Sequence, residues 1–102
     1  MKLLIITSIK ECQNVVAEIF RETGIQVFSV SEISGFRAGA PESIEQNWFG
    51  GSGDAFDSLM LFSFTEKEKA EAALKLIRVY NESEPSDFPV RGFILPVESF
   101  GV

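Results

Sequence analysis

The sequence predicts an α+β domain in which two helices cover one face of a four-stranded sheet. Three observations predict it. Four runs rich in Val, Ile, Leu and Phe stand at residues 2–9, 24–33, 56–64 and 91–97, with the length and composition of strands. Two longer segments carry apolar residues at helical spacing instead. The six follow in the order strand, helix, strand, strand, helix, strand, unlike the regular alternation that builds an all-parallel sheet.

The first strand, Lys2 to Ile9, has Leu or Ile at nearly every position. The start imitates a secretory signal, but the apolar run breaks at Thr7-Ser8 and Lys10-Glu11 follow, too short for the hydrophobic region of such a peptide. Next, Cys12, Val15, Val16, Ile19 and Phe20 share one helical face, with Lys10, Glu11, Asn14, Glu18 and Arg21 on the other. Gly24 is a natural left-handed stop. The second strand is expected from Gly24 to Ile33 and the third from Phe56 to Phe64. Thr65-Glu66-Lys67-Glu68 has the hydroxyl and carboxylate spacing of a capping box. Behind it Ala70, Ala73, Leu74, Ile77 and Tyr80 form the stripe of a second helix, expected to end near Asn81, with Glu71 and Lys75 placed to pair on its wet side. A polar loop from Glu82 to Pro89 leads into the last strand, Arg91 to Val97, where Pro96 suits a strand end or a sheet edge. The order is the split βαβ, ferredoxin-like βαββαβ sandwich, one domain over residues 1–102.

A sheet with one wet face should alternate apolar and polar residues. These strands do not. Leu3 and Ile5 point opposite to Leu4 and Ile6, and Leu59 and Leu61 opposite to Met60, Phe62 and Phe64. The face away from the helices is therefore expected to be buried against other copies of the chain, because large apolar patches mark interfaces. Coverage by the chain's own long loop is the alternative.

Charge and composition exclude several classes of function. Fifteen acidic and nine basic residues leave a net charge of −6, the wrong sign for a nucleic-acid partner. No apolar stretch approaches the roughly 20 residues of a membrane helix, so direct membrane insertion is not expected. A lone cysteine builds no disulfide framework, which points to the cytoplasm. The chain has no histidine, the commonest general base near neutral pH, and Cys12 sits on an apolar stripe. An enzyme is not expected, and neither is a zinc or copper site.

Gly35 to Asp54 is the stretch that most needs a purpose, since long connections inside compact domains usually bind something or are disordered. Trp48-Phe49 puts two large aromatics in a polar segment, as partner anchors or as side chains folded back onto the sheet. Gly50-Gly51-Ser52-Gly53-Asp54 fits either an anion-binding nest or a hinge. Arg37 has the fork that binds carboxylate or phosphate bidentately.

The segment from Gly24 to Phe36 resembles the second strand and loop entry of the PII signal-transduction proteins, and Phe93-Ile94-Leu95-Pro96-Val97-Glu98 resembles their last strand. The resemblance implies a homotrimer with a long mobile T-loop, here about Phe36 to Ala55, and an adenine nucleotide held in the cleft between subunits. It places Gly35, Phe36 and Arg37 at the loop base and Arg91 where the family's B-loop lysine stands. The sequence also departs from the family. Phe88-Pro89-Val90 replaces the B-loop glycines, the C-terminal arginines are absent, and the loop lacks both the modified tyrosine and the metal-holding glutamine. What the resemblance implies is a non-enzymatic regulator that binds a small effector through Gly35, Phe36, Arg37 and Arg91. Trp48 and Phe49 would then engage a partner protein, with a membrane transporter as the family's usual partner. The alternatives are a CutA-like or PII-like trimer serving divalent or heavy-metal tolerance, and a structural trimer that binds nothing.

Overall fold

The computed structural model describes residues 1–35 and 56–102. Strand β1 (Lys2–Ile9) passes through a single 3-10 turn, Lys10–Cys12, into helix α1 (Gln13–Thr23). Strands β2 (Ser29–Gly35) and β3 (Phe56–Thr65) follow, then helix α2 (Lys67–Ser83) and strand β4 (Arg91–Pro96). The strands form one sheet in the order β2-β3-β1-β4, and all three pairings are antiparallel. This small α+β architecture is compatible with a ferredoxin-like fold.

Both helices pack on the same face. Leu4 and Ile6 of β1 and Leu59 and Leu61 of β3 meet Val16, Ile19 and Phe20 of α1 and Ala70, Ala73 and Ile77 of α2, all buried. Two alanines on α2 bring that helix close to the sheet, and the approach is tightest at Gly92. A Cβ there would lie 2.5 Å from Leu74 Cδ2 and 2.8 Å from Ile77 Cδ1. β4 can pass under α2 only because this position has no side chain.

Six local expectations need correction. β2 begins at Ser29, not Gly24. Gly24, at φ +79°, closes α1 with its N–H on the Arg21 carbonyl, and the Ile25 N–H reaches back to the Phe20 carbonyl at 2.9 Å. That is a Schellman closure, which drops Ile25 into the core at 4% exposure and stacks Phe28 on Phe20 with centroids 4.3 Å apart. The apolar residues after Gly24 imitate a strand because they plug the core from a connector.

The capping box does not form, because Thr65 is still in β3, paired with Lys2. Glu66 takes the N-cap without a side-chain hydrogen bond. The helix runs to Ser83, two residues beyond Asn81, and the wet-side pair is Lys67 with Glu71 at 3.9 Å, one turn earlier than the expected Glu71–Lys75. Cys12 lies in the turn before α1 and not on the helix itself. β4 stops at Pro96.

The opposite face of the sheet is apolar, as the missing alternation implied. Register puts Ser29, Phe62, Ile5 and Phe93 in one row across all four strands and Phe64, Leu3 and Leu95 in another. Phe64 is 56% exposed and Phe93 50%, and Phe62 meets Phe64 edge to face at 6.3 Å. Among the described residues of the strands, the one charged side chain that register assigns to this face is Arg91, at its end. The alternative in which residues 36–55 cover the face lies outside the described residues.

Candidate functional site

At the end of the sheet where β1 and β2 finish and β3 and β4 begin, the strands line a half-open cavity of about 130 Å³. Antiparallel pairing creates it, since it brings residues far apart in sequence into register. Ile33 pairs with Ser58 and Ser58 with Ile9, while Thr7 pairs with Arg91. These residues line the cavity together with Gly35, Ser8 and the turn Asp87-Phe88-Pro89.

Two of the sequence-predicted effector residues, Gly35 and Arg91, thus meet in one cavity although 56 positions separate their numbers. Phe36 and Arg37 lie outside the described residues, as do Trp48 and Phe49. Arg91 is exposed at the first position of β4 and makes no hydrogen bond or ion pair among the described residues. Asp87 is also exposed. The Ser8 hydroxyl, on a residue 5% exposed, is buried without a hydrogen-bond partner among the described residues, a state that costs about 1–3 kcal/mol.

The turn before β4 is held by a side chain that the sequence did not single out. Asn81, near the end of α2, accepts from the Val90 N–H through Oδ1 at 3.1 Å and donates from Nδ2 to the Val90 carbonyl at 2.8 Å. A carboxamide here does what a neighbouring strand would do, and it pins Val90, 1% exposed, beside Arg91. The Phe88 N–H donates to Ser86 Oγ at 3.0 Å. Pro89 has no N–H. Every backbone position from Phe88 to Val90 is therefore spent or empty as a donor. Asn81 could not be found in the sequence, since asparagine near a helix end is commonplace and its partner lies nine residues on.

An ion pair stands beside the cavity. Lys10 Nζ lies 2.9 Å from Glu32 Oε1, so it spans from the end of β1 to edge strand β2. The hydrogen bond from Lys10 holds the Glu32 carboxyl below its ordinary range, and the same bond holds the Lys10 ammonium above its own. Asp57 adds a smaller attraction for Lys10.

Cys12 is half-buried with Sγ 3.8 Å from the Tyr80 hydroxyl. That contact, and then partial burial, push the Tyr80 phenol above its usual range. Among the described residues no cluster of three or more His, Cys, Asp or Glu side chains is placed to hold a metal ion, and no helix is long and apolar enough to cross a membrane. Compared with known proteins, the chain matches no family model and no curated protein.

Proposed function

We propose that this protein is a non-enzymatic, PII-like regulator that acts as a homotrimer and binds a small effector in the cavity at the end of its sheet. The carrying observation is that Gly35 and Arg91, assigned to the effector on sequence grounds, line the same cavity. It sits where the chain leaves β2 for residues 36–55. An effector there would touch the root of the segment that carries Trp48 and Phe49, the proposed anchors for a partner protein of the membrane-transporter class. Such a signal requires the effector to bind two states of the protein unequally. The strand order and the apolar open face support the trimer, since three sheets closing around an axis would bury that face. The absence of histidine from the chain favours a regulator over an acid–base enzyme.

Thermal unfolding against ATP, ADP, AMP, cyclic AMP, bicarbonate and divalent cations tests the effector site. A ligand of the folded state at about a hundred times its dissociation constant stabilises by roughly 2.7 kcal/mol. The expected result is a shift with one anionic ligand that Arg91→Ala removes. A shift that survives Arg91→Ala, or one produced by divalent cations alone, would count against this site.

A further inference from the structure

The chemistry of the cavity also selects the class of ligand. Its volume of about 130 Å³ is close to the roughly 150 Å³ of an apolar protein cavity that admits benzene, and well below the roughly 300–1,000 Å³ of pockets that bury drug-sized ligands. Ile9, Ile33, Phe88 and Pro89 supply apolar wall, and Arg91 is the single cationic side chain among the described lining residues. Among the described residues its fork has no partner, and it matches a planar carboxylate in two parallel hydrogen bonds.

Polyphosphate fits poorly. The amides of Phe88 and Val90 are already bonded to Ser86 and Asn81, and Pro89 offers none. Asp87 lies on the cavity wall, and Glu32, its ion-pair partner Lys10 and Asp57 line an adjoining depression that shares Ile33 and Ser58 with the cavity. Among the described residues, Arg91 and a Lys10 already paired with Glu32 face three carboxylates, a balance that accommodates one negative charge better than three or four.

We infer that the ligand of this cavity is a compact monocarboxylic acid with an apolar body, of the size of benzoate or 3-methylbutanoate, its carboxylate on Arg91 and its body against Ile9, Ile33 and Pro89. This rests on the reading of the cavity as an effector site.

Calorimetric titration of the whole chain with benzoate, 3-methylbutanoate, benzamide, inorganic phosphate and ATP tests it. Benzoate or 3-methylbutanoate should bind, and benzamide, its charge removed, at least tenfold more weakly than benzoate. Arg91→Gln should cost at least tenfold in carboxylate affinity, Arg91→Lys less, and Ile33→Trp, which fills the cavity and leaves the charge, should also abolish binding. Benzamide binding as well as benzoate, or Arg91→Gln without effect, would overturn the inference. ATP or phosphate binding through Arg91 while the carboxylates do not bind would overturn the carboxylate assignment and leave the effector site standing. No binding by any probe would overturn both.

Discussion

At the scale of single residues, two positions near the site carry sharp consequences. Gly92 is the point where β4 touches α2, and the nearest atoms to an added Cβ belong to packed Leu74 and Ile77. Gly92→Ala should therefore destabilise the fold by about 1–3 kcal/mol through overpacking, read as a lower midpoint in urea with an unchanged slope. A neutral result would mean that α2 moves away freely. Lys10 and Glu32 form an exposed pair whose worth is chiefly a pH signature. Glu32 is depressed below its ordinary 4.5, so its contribution to stability is complete above that value and disappears as pH falls through the folded-state titration. Lys10 is raised above 10.5, so its contribution is complete below that value and disappears as pH rises through the folded-state titration. Lys10→Ala should return the Glu32 midpoint toward 4.5 in a carboxyl-detected NMR titration; an unmoved midpoint would show that the pair does not persist in solution.

At the scale of elements, what could be read in the sequence follows the range of the forces involved. β1, β3 and the apolar faces of both helices were legible because period and composition are local signals. The start of β2 was not, because Ile25 and Phe28 are apolar for a tertiary reason, the Schellman turn that sends them into the core beside Phe20. Thr65 failed as a cap for a similar reason, since pairing with Lys2 kept it in the strand. The meeting of Gly35 with Arg91 was legible only through resemblance, and the Asn81 clamp on Val90 not at all. That clamp connects α2 to β4, so Asn81→Ala should leave both polar groups of Val90 unpaired at a cost of about 1–3 kcal/mol. It should also weaken any ligand held by Arg91 more than the conservative Asn81→Asp, which keeps the acceptor. Denaturation and ligand titration of the two variants check this together, and equal ligand affinity in both would show that Arg91 is positioned independently of Asn81.

At the scale of the whole molecule, the sheet face opposite the helices organises the account. It presents Phe64, Phe93 and Leu95 to the outside with Arg91 alone among the charges of its described residues, although acidic residues abound elsewhere. A chain of net charge −6 repels its copies at long range, and a face whose described strand residues carry no carboxylate is one on which copies can meet without added repulsion. The cavity lies at the end of that same face, so burial of the face against a copy would bring a second chain toward Arg91 and would make assembly and ligand binding interdependent. The measurement that tests this most directly is sedimentation equilibrium of the intact chain and of Phe64→Glu. A homotrimer gives a wild-type mass three times the 11.3 kDa of one chain, and Phe64→Glu is expected to give a folded species at the mass of one. A wild-type chain that stays monomeric across the concentration range, with Phe64 and Phe93 in water, would contradict it.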